Sequence, residues 1–101
     1  MNDETYVFGS FQLIPSQRLL LHEGKPLRLG SRALEILIVL IEAAGNTVHR
    51  DQIMARAWPG TAVDEASVRL QIATLRKALG ERRRGSRFIT NVPGGRNFTR
   101  K

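Results

Sequence analysis

The sequence predicts an α+β domain of four short N-terminal strands, three helices and a C-terminal β-hairpin. Three observations predict it. Short apolar runs broken by Gly and Pro fill the first thirty residues. Apolar residues then recur at helical spacing as far as Leu79. A strand–turn–strand pattern with Pro93-Gly94-Gly95 at its centre closes the chain.

The first runs are residues 6–8, 11–14, 18–21 and 26–29, separated by Gly9-Ser10, Pro15-Ser16-Gln17 and Glu23-Gly24-Lys25. Connections this short suit an antiparallel meander and exclude parallel crossovers. Ser31 is then placed to cap a helix over 32–44, in which Ala33, Leu37, Leu40, Ile41 and Ala44 share a face that Ile36, Ile38 and Val39 widen. Gly45-Asn46 stops it. A second helix is expected over 50–57, with Ile53, Met54 and Ala57 inward, closed by Trp58 and ended by Pro59-Gly60. A third starts after Asp64 as cap, carries Glu65 in its first turn, repeats Val68, Ile72, Leu75 and Leu79, and stops at Gly80. Beyond a charged loop at 81–86, residues 87–92 read as a strand and 97–99 as its return. With 101 residues and no linker or repeat, the chain reads as one domain ordered over about residues 6–99.

Composition narrows the function. Residues 1–65 hold 6 Lys/Arg against 8 Asp/Glu, whereas residues 66–101 hold 10 Lys/Arg against a single acid, Glu81. The whole positive excess lies in the last third, which suits a polyanion-binding face and equally a solvated basic tail. The absence of cysteine excludes disulfides, thiolate metal sites and cysteine nucleophiles. The apolar run 36–41 is far short of the roughly 20 residues of a membrane span, and Met-Asn-Asp-Glu is acidic where a signal peptide is basic. A cytoplasmic protein with no membrane contact through this segment is expected. His22 and His49 belong to no metal-binding or catalytic motif, and no phosphate-binding glycine loop or nucleophile elbow occurs, so no enzymatic activity, metal or cofactor is expected.

The third helix and the hairpin carry the charge. With its apolar stripe inward, the helix is expected to present Ser67, Arg69, Gln71, Thr74, Arg76, Lys77 and Ala78, with acids only at Asp64 and Glu65. A helix fits the B-DNA major groove, where Gln, Arg, Ser and Thr reach base edges and flanking cations meet phosphates. The same pattern describes an ordinary amphipathic helix with a solvated face. Arg96 stands beside a slim Gly94-Gly95 tip that suits the minor groove and equally a plain surface hairpin, and Arg82, Arg83, Arg84 and Arg87 lie between helix and hairpin, where they would touch phosphates over DNA or form a disordered, nonspecific basic loop.

Several blocks in this order carry a family resemblance: Phe8-Gly9-Ser10-Phe11, residues 29–37 (LGSRALEIL), residues 48–53 (VHRDQI), Ala57-Trp58-Pro59-Gly60 and residues 68–79 (VRLQIATLRKAL). Over residues 6–99 the chain resembles the OmpR/PhoB-type winged helix-turn-helix domain of bacterial transcriptional regulators. The resemblance implies a four-stranded sheet, a three-helix core and a C-terminal wing over 87–99. The helix over 65–79 would then be the recognition helix for double-stranded DNA. It further implies that Arg69, Gln71 and Thr74 face DNA and that Arg76 meets phosphate. The loop 58–63 corresponds to one that contacts RNA polymerase in some members, and a dimer or tandem pair on direct repeats is typical. Such domains usually sit within longer regulators, and an N-terminal effector domain of one is expected here. Two departures stand out. The wing segment Val92-Pro93-Gly94-Gly95-Arg96-Asn97-Phe98 is one residue short of the family's V-x-G-x-G-Y-R-F and lacks the aromatic before the Arg, and His49 replaces the usual Ser or Thr before helix two.

The basic third admits two other readings. A protein-interaction module would expose apolar groups on helix three. An RNA binder would need aromatic platforms, and this region offers only Phe88 and Phe98, which read as core.

Overall fold

The computed structural model describes residues 4–80 and 88–99. Strands β1 (Tyr6–Phe8), β2 (Phe11–Ile14), β3 (Leu19–His22) and β4 (Lys25–Pro26) form an antiparallel sheet in chain order. Helices α1 (Ser31–Glu42), α2 (Arg50–Ala57) and α3 (Glu65–Ala78) follow. A second sheet joins β5 (Val48–His49), β6 (Ile89–Val92) and β7 (Gly95–Phe98) in the order β5-β7-β6. This is the winged-helix arrangement, with β6 and β7 as the wing hairpin.

The core forms where these elements converge. Seven residues of α1 are buried, among them Ile36, Leu37 and Leu40, so this helix is the central one. Ile53 and Ala57 of α2 and Val68, Ile72 and Leu75 of α3 pack with them, joined by Leu79. Phe8 and Phe11 from the first sheet meet Phe88 and Phe98 from the wing in one aromatic cluster.

Several element ends differ from expectation. Ser31 does not cap α1: Gly30 holds the cap position with no side-chain bond, and Ser31 is the first helical residue. The helix stops before 44, because Ala44 and Gly45 both take left-handed φ values of 55° and 89°. Strand β4 covers only two residues, after which Leu27 and Leu29 turn to pack against the core. Residues 48–49, between the first two helices, form β5 by pairing with β7, a strand the sequence did not announce. Asp64 caps α3 as expected: its Oδ1 accepts from the Ser67 N–H at 3.0 Å.

An ion-pair hub fixes α1 to its neighbours away from α3. Glu35 on α1 accepts from Arg18 at 2.6 Å and from Arg56 on α2 at 3.1 Å. Partial burial alone pushes the Glu35 carboxyl up, but the two arginines together outweigh it and hold it below its ordinary value. A lowered folded-state pKa gives stability that is present above the ordinary carboxylate range and lost as pH falls through the folded value. Glu35→Gln is therefore expected to cost about 1 kcal/mol at pH 7 and to flatten the decline of the urea midpoint in acid. Midpoints for the two proteins running parallel from pH 7 to pH 3 would contradict this.

Candidate nucleic-acid interface

Helix α3 is amphipathic, and its geometry defines the site. The buried stripe Val68, Ile72, Leu75 and Leu79 faces α1 and the core. Half a turn away, at the same helical spacing, Ala66, Leu70, Ala73 and Lys77 are all exposed. Arg69 and Thr74 are exposed beside this stripe. Ser67, Gln71, Arg76 and Ala78 lie on the flanks and are half-buried, so the outward face is narrower than expected. Its centre is Leu70, 64% exposed, a residue absent from the polar positions expected to face outward. The signal for it was in the spacing: positions two residues away from each member of the buried stripe fall on the opposite side.

Both acids at the start of α3 are engaged. Asp64 serves as cap, and that backbone hydrogen bond, with the Ser67 side chain, holds its carboxyl below the usual range. Glu65 pairs with Arg50 of α2 at 3.1 Å and with Arg69 at 3.7 Å. The negative charge is thus matched locally, while Lys77 stands at the outer face near the helix end, where a cation also complements the helix dipole.

One flank of α3 is bolted to the wing. Nη2 of Arg76 donates to the Ile89 carbonyl at 3.2 Å and to Oδ1 of Asn91 at 2.8 Å, both on β6. Arg76 thus lies along the hairpin rather than on the outward face. On the other flank, Ser67 lines a shallow cleft with Trp58, Thr61, Ala62, Val63 and Asp64. The buried Trp58 anchors this 58–63 loop, and the Arg32 guanidinium lies 5.6 Å from its ring centre.

The wing itself corrects an expectation. Arg96 does not stand out at the tip. It is only 9% exposed, in register between Val48 of β5 and Asn91 of β6. Its Nη1 donates to the Gly95 carbonyl at 3.3 Å, and its Nε has no hydrogen-bond partner among the described residues. Burial lowers its pKa most, and the cations of Arg76 and Arg69 lower it further against the opposing pull of Glu65. The hairpin's two-residue turn at Pro93-Gly94 docks on the start of α2, where the Arg50 N–H donates to the Gly94 carbonyl at 3.0 Å. The Arg96 side chain lies inward, where Arg76, Glu65 and Arg69 of α3 influence its charge. Arg82, Arg83, Arg84 and Arg87 lie outside the described residues.

The comparisons with known proteins agree with this architecture. The family described as "Transcriptional regulatory protein, C terminal" matches residues 24–95, well over half of the chain. The chain belongs to this family. Among its relatives, the transcriptional regulatory protein CutR of Streptomyces coelicolor is 33% identical over 91 residues, covering 85% of this chain and 38% of CutR. The chain thus spans well under half of that regulator. Among solved structures, the Klebsiella pneumoniae RstA DNA-binding domain, determined in complex with the RstA box, superposes with a TM-score of 0.78 at 27% identity, covering 95% of this chain and 97% of that one. The Thermotoga maritima response regulator DrrB, an OmpR/PhoB homolog, gives a TM-score of 0.83 at 28% identity over 94% of this chain and 44% of its own. The chain is an OmpR/PhoB-type winged-helix effector domain of the kind found in bacterial transcriptional regulators. No helix among the described residues is long and apolar enough to cross a membrane, and no cluster of His, Asp or Glu among them could hold a metal ion.

Proposed function

We propose that this domain binds double-stranded DNA sequence-specifically as the effector module of a transcriptional regulator, with α3 in the major groove and the wing beside the adjoining backbone. The observation that carries the reading is the outward side of α3. Arg69, Thr74 and Lys77 are exposed there, and the nearby acids, Asp64 and Glu65, are occupied by local partners. Thr74, Arg69 and, from the flank, Gln71 and Ser67 are assigned to base edges and Lys77 to phosphate. Arg76 holds helix and wing in fixed relation. Arg82, Arg83, Arg84 and Arg87 add phosphate contacts by their charge and their place in the chain. Crystallisation of the RstA domain on its DNA box supports the reading.

The cytoplasm is the proposed location, and no reaction is assigned to the domain. The 58–63 loop is proposed to meet RNA polymerase, and two copies to occupy neighbouring half-sites. A protein-interaction role is the second reading, favoured by exposed Leu70. One leucine between two alanines is much smaller than the several hundred Å2 of a typical docking patch, which tells against it.

Fluorescence anisotropy on a 20-base-pair duplex tests the proposal. Affinity is expected to fall at least roughly ten-fold between 50 and 200 mM salt, as phosphate contacts release counterions. Lys77→Ala should weaken binding to all sequences alike and reduce the salt slope by about one. Thr74→Ala should instead narrow the gap between a preferred and a scrambled duplex. No binding at 50 mM salt would favour the protein-interaction role.

A further inference from the structure

We infer that α3 reads thymine through its methyl group, using an apolar strip of Ala66, Leu70 and Ala73 centred on Leu70. The inference rests on the DNA-binding reading above and names what the middle of that surface recognises.

Leu70 and Val7 are the two large hydrophobic residues exposed among the described residues, and Val7 lies on β1, away from the third helix. Leu70 is on the line directly opposite the buried stripe of α3, so it is the first side chain that any surface approaching the helix head-on would meet. Ala66 and Ala73, one turn to either side, are exposed and short, so they allow close approach and leave Leu70 as the crest. Cations border the strip at Arg69 and Lys77.

The chemistry of the major groove then selects the partner. The four bases present donors and acceptors there, and thymine alone adds an apolar group, its C5 methyl. Leu70 has no hydrogen-bonding group. Against a cytosine or adenine amine it would strip water from a donor and return nothing, which is unfavourable. Against a thymine methyl it removes apolar surface from water on both sides. The strip therefore discriminates by attraction to thymine and by exclusion of exposed amines. Residues 66 to 73 rise about 10 Å along the helix axis, close to three base steps at about 3.4 Å each. Leu70, at the middle, covers one or two neighbouring thymines.

The test uses the whole domain. A duplex library with 20 random base pairs is enriched on the wild-type protein, and the thymines of the enriched duplex are replaced one at a time by deoxyuridine, which differs only in lacking the methyl. Affinity is expected to fall about four-fold for each thymine in contact, at one or two adjacent positions. In Leu70→Ala that deoxyuridine penalty should vanish, while Lys77→Ala should retain it despite weaker binding overall. Since Leu70 is exposed, the thermal midpoint of Leu70→Ala should match the wild type, separating a binding effect from unfolding. Enrichment of a specific duplex that tolerates deoxyuridine everywhere would overturn the inference and leave the DNA-binding reading intact. A penalty that persists in Leu70→Ala would likewise overturn it. A library that yields no enriched sequence would remove the DNA-binding reading, and this inference with it.

Discussion

Phe8→Ala is expected to cost about 3–5 kcal/mol, a large share of the ~5–15 kcal/mol available to a domain of this size. Phe8 is almost fully buried, and its ring centre lies 5.4 Å from Phe11, 5.3 Å from Phe88 and 5.1 Å from Phe98. The first contact is stacked and the other two are edge-on, both favoured geometries. Phe8 comes from the first strand and Phe98 from the last, so the cluster closes the longest loop in the chain. Removing the ring leaves a cavity whose walls are themselves rigid aromatics and cannot easily collapse into it. The urea midpoint should fall steeply, and a melting temperature lower by roughly 15–30 °C should accompany it. Phe8→Leu, which keeps most of the volume, should cost much less. A loss below about 1 kcal/mol for Phe8→Ala would show that the two sheets do not depend on this cluster.

Gly95→Ala should be the next most damaging change, at about 3 kcal/mol. A methyl group built at Gly95 would lie 2.2 Å from the Val48 carbonyl oxygen and 2.9 Å from its carbon, with the His49 Cα at 3.1 Å. These are backbone atoms of the paired strand, not the movable end of a side chain. Relief requires β5 and β7 to separate, which breaks the register of Val48 with Arg96 and His49 with Gly95. Gly30→Ala is the matched control, with open space around the added methyl and no left-handed backbone, and should lie within about 0.5 kcal/mol of wild type. Thermal melts measure both. Amide shifts at residues 48–50 and 93–96 should report strand separation in Gly95→Ala alone. Equal melting temperatures for the two variants would mean that the strands separate at little cost.

What could be read before the structure follows from the range of the interactions involved. Helix α2 matched its expected span and α3 ended one residue early, because their limits are set locally, by Pro59-Gly60 and by Asp64 bonding three residues ahead. The start of α1 was misplaced by one residue, since a serine offers a cap whether or not its backbone takes the cap conformation. Strand β5 was invisible because its partner, β7, lies more than 40 residues further on and two residues show no alternation. The same long-range pairing hid the burial of Arg96: beside a Gly-Gly tip an arginine reads as exposed, whereas in the fold that tip is docked on Val48–His49 and the side chain lies inward. The charged character of α3 was legible from periodicity. Leu70 was not legible as part of the site because an apolar side chain in an amphipathic helix reads as core, and only its place opposite the buried stripe puts it outside.

The docked hairpin tip also bears on how the domain would meet a ligand. A free wing is a finger that can bend to follow what it touches. Here Gly94 is tied to Arg50, and Arg76 ties α3 to β6, so helix and hairpin form a caliper with a set opening. On the DNA-binding reading, a duplex seated on α3 meets a second contact point at a distance the protein has already chosen. Adjustment then falls to the duplex, and sequences whose grooves take that width with least distortion gain an advantage even at base pairs no side chain reaches.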